Sequence, residues 1–242
     1  MSEQVPGRGQ SQGFRTSRQL RDRVRLAQEG APGRYSTAQS AVIHVQDVAK
    51  LYGRTVALRP VSFEAGPGEL VLLRGSNGSG KSTLLRVLAG FATPDRGQCI
   101  VDAQAIGWCG HDHQMIETLS VRDNLTRQTR LFGISPDRLD AACERFGVDQ
   151  FQNRRPGQLS QGMRQRAMLA RAFAVADGVL LLDEPQTGLD QRGIAILWEA
   201  TAAYLDSGGC CVIATHLELP EFLTSGSERQ VSTVMLPDRE GA

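Results

Sequence analysis

Hydrophobic positions along the chain follow two periods in turn, and their order predicts the fold. Val42 to Gly53, VIHVQDVAKLYG, alternates enough for a strand that closes at Tyr52-Gly53. Val61 to Glu64 predicts a second strand, and Pro67-Gly68 a turn after it. Val71, Leu72 and Leu73 form an unbroken apolar run, the pattern of a strand covered on both faces. Thr83 to Ala89 then changes to helical spacing. Pro94 to Gly97 reads as a turn and Cys99 to Ile106 as one or two short strands. From Ser120 to about Ala176 the period is helical: Ser120 and Asp123 have capping-box spacing, Ser135-Pro136 opens a second helix, Pro156-Gly157 is expected to break it, and a third starts near Gln161. Val179 to Asp183 is a buried strand ending in acid. Gly193 to Leu205 is helical, Cys210 to Ala214 is another buried strand, and Gln230 to Leu236 predicts a last one. Strands alternating with helices predict an α/β domain from about residue 41 onward, a largely parallel sheet with helices packed on it.

Residues 1–40 break this pattern. They are rich in Gly, Gln, Ser and Arg, with Arg8, Arg15, Arg18, Arg21, Arg23, Arg25 and Arg34 against Glu3, Asp22 and Glu29. The expectation is a disordered basic tail. The alternative is a short helix over Arg18 to Gln28, with Leu20, Val24 and Ala27 on one side, suited to an anionic membrane surface. The whole chain carries a net charge of only +1, so no global field draws it to nucleic acid, and none is expected as a partner. Five scattered cysteines argue against a disulfide framework and for a reducing compartment. With no long apolar run and no secretory signal pattern, a cytoplasmic protein is expected.

The candidate chemistry centres on the junction after the third strand. Gly75, four residues, then Gly80-Lys81-Ser82 is the phosphate-binding loop spacing, set between a predicted strand and a predicted helix. A loop that wraps a polyphosphate must turn its N–H groups inward, and Gly75, Gly78 and Gly80 permit the dihedrals this needs. The helix N-terminus then adds its positive partial charge. Lys81 would reach the β- and γ-phosphates of ATP and Ser82 would hold Mg²⁺, with Ser76, Asn77, Ser79 and Thr83 completing the cradle. Lys50 and Lys81 are the only lysines in a chain that otherwise uses Arg. A compact ammonium suits such a cradle better than a planar guanidinium. In a protein with this loop, a carboxylate ending a neighbouring strand holds Mg²⁺, a role for Asp183. Glu184, one residue on, could polarise the attacking water.

Between these motifs stands LSQGMRQR, Leu159 to Arg166, and here the sequence resembles the ATPase subunits of ABC transporters from about Val42 to His216. The resemblance implies an ATPase domain over 41–242: a P-loop NTPase core with a mostly parallel sheet, an antiparallel β edge region and a helical subdomain over about 115–172, with a signature motif at Leu159–Met163. Ser160 and Gly162 would meet the γ-phosphate, although Gln161 and Met163 depart from the commonest form. It further implies that Tyr52 stacks on adenine, that Gly188-Leu189-Asp190 is the loop crossing a dimer interface, and that His216 contacts the γ-phosphate. Counting back from Asn124 puts Asp112 at the position usually held by a metal- and water-sensing glutamine, while Gln114 reaches it only with a two-residue shift. Cys109, His111 and His113 can also be read as metal or haem ligands, without a partner cluster.

One phosphate loop and one signature motif per chain imply a homodimer, or pairing with a second ATPase subunit, closing on two ATP. Such a pair would lie peripherally on the cytoplasmic face of a membrane and drive a separate integral permease docked near Met115 to Asn124. The segment from Pro94 to Gly110, the Gly110-His111 pair and the LSQGMRQR form resemble the small haem-exporter ATPases of cytochrome c maturation and related export-type subunits. Only about 80 residues separate Lys81 from Ser160, too few for the coiled coil of the DNA-repair relatives, and one ATPase domain is half of what translation-linked relatives carry. A P-loop kinase would lack the signature segment. A non-transport accessory ATPase, such as one for iron–sulfur assembly, stays as the alternative.

Overall fold

A computed structural model of the chain describes residues 42–110, 115–224 and 230–237. The basic tail, Asp112 and Gln114, and His111 and His113, lie outside the described residues. Eight strands and six α-helices follow in the order β1 (Ile43–Tyr52), β2 (Thr55–Ala65), β3 (Leu70–Arg74), α1 (Lys81–Leu88), β4 (Arg96–Val101), β5 (Ala105–Cys109), α2 (Val121–Arg130), α3 (Pro136–Arg145), α4 (Gln161–Val175), β6 (Gly178–Asp183), α5 (Gln191–Asp206), β7 (Cys210–Ala214), α6 (Glu221–Thr224) and β8 (Val231–Met235) among the described residues.

The strands form two sheets. Five of them make an all-parallel sheet in the order β5-β6-β7-β3-β8. The other three make an antiparallel sheet in the order β2-β1-β4. The alternation of side chains along the parallel strands divides the core in two. Leu70, Leu72, Leu180, Leu182, Cys211 and Ile213 face a cluster shared with α2 to α5. Val71, Leu73, Val179, Leu181, Val212 and Ala214 face the opposite cluster, with α1 and the antiparallel sheet. Leu84, Leu85 and Leu88 on α1 are buried there, each contributing about 1.5–3 kcal/mol of apolar burial.

Two boundaries differ from the sequence expectation. The second strand begins at Thr55, six residues before Val61, and runs through Pro60. A proline demotes a strand pattern, but β2 is the outer strand of its sheet, where a missing N–H costs nothing to a neighbour. The second helix of the helical region ends at Arg145, well before Pro156. Gly147, at φ +67°, donates its N–H to Glu144 O at 3.0 Å, and Val148 N–H reaches Cys143 O at 2.7 Å. That pair of bonds is the Schellman C-terminal stop. Pro156–Gln158 forms a separate 3₁₀ turn.

The helical layer is fastened by caps. Ser120, Ser135 and Ser160 each accept a hydrogen bond from the N–H three residues on, at 3.0, 3.4 and 3.2 Å. Asn124, buried in α2, binds back to the preceding segment: its Oδ1 accepts from Ile116 N–H at 2.7 Å, and its Nδ2 donates to Ile116 O and Ser120 O at 3.0 and 2.9 Å. No described helix is long and apolar enough to cross a membrane.

Candidate nucleotide site

In a parallel sheet every strand ends on the same edge, so the segments leaving β3, β6 and β7 emerge together. This topology brings Gly75–Gly80, Asp183-Glu184 and Thr215-His216 to one rim, with β7 hydrogen-bonded between β3 and β6. Helix α1 leaves the loop and packs against β6 and β7.

The loop itself tolerates little. Gly80 caps α1 at φ +108°, and a Cβ there would come 2.6 Å from Ala57 O on β2. The contact seats the β1–β2 hairpin directly against the loop. A Cβ on Gly75 would come 2.6 Å from Ser79 Oγ and 2.8 Å from Leu236 O. Lys81, buried at the first position of α1, folds back and donates Nζ to Gly75 O at 2.8 Å and to Ser76 O at 3.0 Å. Ser79 Oγ is buried without a hydrogen-bond partner. Ser76, Asn77 and Gly78 are exposed above this base, Ser82 is exposed and Thr83 half-buried. An ammonium inside a turn of polar backbone, beside an unsatisfied hydroxyl and a helix N-terminus, is a receptor for an anion of phosphate type.

Asp183 is buried at the end of β6. Its neighbour Glu184 has a left-handed backbone, φ +47°, unusual for a residue with a side chain and a mark of functional sites. The strain is held at both ends: Glu184 N–H donates to Ala214 O at 2.8 Å, and its carbonyl accepts from Thr187 N–H at 3.1 Å. His216 Nε2 lies 3.2 Å from Glu184 Oε1. Arg74, the last residue of β3, donates to Thr215 O at 2.6 Å and Leu217 O at 3.0 Å, gripping the backbone on both sides of His216. Sequence reasoning missed Arg74, since a basic residue before a glycine loop has no pattern of its own.

The remaining predicted residues occupy two flanks. Tyr52 ends β1 and is 54 % exposed, with Lys50 Nζ 5.5 Å from its ring centroid and Lys50 itself held by Asp95. The Asp95 carboxyl is held below its ordinary range, first by the Leu51 N–H and then by Lys50. On the other flank, Ser160 caps α4 within its own chain. Gly162 sits so close to the loop after β6 that a Cβ would come 2.5 Å from Gly188 O. Asp190 caps α5 by accepting from Gly193 N–H at 2.8 Å, and Arg166 donates to both its oxygens at 2.9 and 3.0 Å. Its carboxyl is accordingly held low, first by the Gly193 N–H and then by the Arg166 charge. Gln165, buried in α4, donates to Pro185 O at 2.8 Å, so the signature helix also grips the segment after Glu184.

Metal and haem readings of Cys109 meet a physical obstacle. Its thiol is fully buried on β5 among apolar side chains, out of reach of a ligand at the surface, and burial pushes its pKa up to about 12. A hydroxyl at Ser82 with a single carboxylate at Asp183 is a different donor set. It suits Mg²⁺, which takes one or two protein oxygens and completes its shell with phosphates and water.

Known proteins resemble this chain over most of its length. A sequence model of the family described as ABC transporter matches residues 58–187. A cytochrome c biogenesis ATP-binding export protein from Ruegeria pomeroyi is 37 % identical over 178 residues, covering 72 % of this chain and 85 % of the relative. The protein of the same name from Cupriavidus necator is also 37 % identical, covering 68 % and 78 %. Among solved structures, a dimeric bacterial ABC transporter cassette superposes with a TM-score of 0.67 at 25 % identity, covering 72 % of this chain and 88 % of that one.

Proposed function

Because the chain belongs to the ABC transporter family of ATP-binding proteins, and so is an ATPase coupled to transport, we propose that it powers export through a separate membrane permease by closing as a dimer on two ATP. The observation that carries this reading is the convergence of the phosphate loop, Asp183-Glu184 and His216 on one rim of the parallel sheet.

In this reading the triphosphate enters the turn of Gly75–Gly80 and takes over the Lys81 ammonium from the carbonyls it now holds. Ser79, Ser82 and Thr83 supply hydroxyls, and Ser76, Asn77 and Gly78 close over the phosphates. Tyr52 offers its exposed ring to adenine. Ser82 and Asp183 would hold Mg²⁺, which would supply positive charge against the phosphates. Glu184 accepts a proton from the attacking water, and His216 donates a hydrogen bond toward the γ-phosphate. Ser160 and Gly162 of a second copy, at a helix N-terminus, cover the γ-phosphate from across the interface, with Asp190 on the loop between. A structural neighbour described as a dimeric cassette supports the pairing of two copies. Asp112, by its count from Asn124, keeps the sensing position.

Domain bounds of 41–242, with a helical subdomain over about 115–172 that meets the permease near Met115 to Asn124, belong to the same proposal, as does a place on the cytoplasmic face. Haem is the proposed cargo: the relatives are named for cytochrome c biogenesis and export, and c-type cytochromes are proteins to which haem is attached. Those export names disfavour the accessory-ATPase alternative.

Hydrolysis of Mg-ATP by the purified chain, beside Lys81→Ala, tests the site. We expect Lys81→Ala to lower turnover on the order of 100-fold and to weaken nucleotide binding. Turnover and affinity equal to the wild type would remove the phosphate loop from the account.

A further inference from the structure

Glu184 is held on both of its oxygens. His216 lies at Oε1, and Gln186 Nε2 donates to Oε2 at 2.6 Å. The Glu184 side chain is only 17 % exposed, so the contact forms away from bulk water. Reversing the Gln186 amide would set its oxygen against a carboxylate oxygen at this distance, which fixes the nitrogen toward Glu184. The other end of the amide, Oε1, is buried and has no hydrogen-bond partner. A glutamine that leaves its oxygen unsatisfied in order to keep its N–H on a neighbouring carboxylate bears an energetic cost that turn formation alone does not require. The turn already closes through its backbone, with Thr187 N–H donating to Glu184 O, and its Pro185 carbonyl is tied to α4 by Gln165.

We propose that Gln186 is a positioning residue for hydrolysis: its amide fixes the plane of the Glu184 carboxylate, so that an oxygen lone pair stays turned toward the attacking water. This rests on Glu184 acting as the water-polarising base. Gln186 lies two residues on in a turn that is itself anchored, so the carboxylate is oriented by a group with little freedom of its own. His216 steadies the second oxygen from the segment just past β7. Orientation of this kind acts on the chemical step rather than on nucleotide affinity.

The test is steady-state ATP hydrolysis by the full chain as Gln186→Met, of equal length but without a donor, and as Gln186→Glu, of equal shape but with an acceptor and a like charge. We expect kcat to fall roughly tenfold for Met and further for Glu, with KM, nucleotide affinity and Tm close to wild type. In a Glu184→Gln background, Gln186→Met should lower the residual turnover no further, because the two groups act as a unit. A Gln186→Met kcat within about twofold of wild type, or the same fold-loss in the Glu184→Gln background, would overturn the proposal. If Gln186→Met lowers Tm, Gln186→Glu decides by the same kcat and KM criteria. Glu184→Gln alone separates the two ideas. Retained turnover there removes the base and this inference together, whereas its loss beside an active Gln186→Met removes the inference only.

Discussion

At the scale of single residues, the site depends on positions where a small change has no room to be absorbed. Gly80 is one. Gly80→Ala would combine φ +108° with a contact of 2.6 Å to Ala57 O, a backbone atom that cannot step aside. We expect a loss of about 2 kcal/mol, read as a fall in Tm of roughly 4–8 °C, together with weakened ATP binding, since the loop and the Tyr52 hairpin meet at this point. Unchanged melting and affinity would mean that the hairpin does not brace the loop. The phosphate loop, Asp183, Glu184 and His216 were legible in the sequence because their spacing and their places at strand ends are local signals. Arg74 and Gln186 were not. Their partners are the carbonyls around His216, 141 and 143 residues away for Arg74, and a carboxylate whose left-handed backbone no pattern announces.

At the scale of elements, helix starts were easier to read than strand and helix ends. Ser120, Ser135 and Ser160 cap where the pattern placed them, since an N-cap is a bond between residues three apart. The stop at Gly147 was written in the chain too, but Pro156 drew the boundary to itself because proline breaks helices more strongly than glycine ends them. Pro60 hid the first half of β2 because edge position is a property of the sheet and not of the strand. Asn124 holds the segment from Ile116 to Ser120 onto α2 from a buried position. Asn124→Leu keeps the volume and strands these backbone groups, so we expect about 3 kcal/mol of destabilisation in urea unfolding, with nucleotide affinity little changed. Equal stability would show that the segment is held by other contacts.

At the scale of the whole molecule, the parallel sheet sets one half of a nucleotide site on its rim, while α4 presents Ser160 and Gly162 on the far side of the Gly188 loop. The overall α/β class and the strand–helix order came directly from hydrophobic period. The three-stranded antiparallel sheet answers the antiparallel β edge expected from the family resemblance; hydrophobic period alone does not show it, because its pairings join β1 to β4 across the intervening β2, β3 and α1. What a second copy would complete is the central claim, and light scattering of purified Glu184→Gln with and without Mg-ATP tests it most directly. The substitution removes the base and is expected to leave ATP bound. A monomer that becomes a dimer only with ATP is the result this account predicts. A protein that binds ATP and remains monomeric would contradict it, leaving the phosphate loop intact but taking Ser160 and Gly162 out of the site.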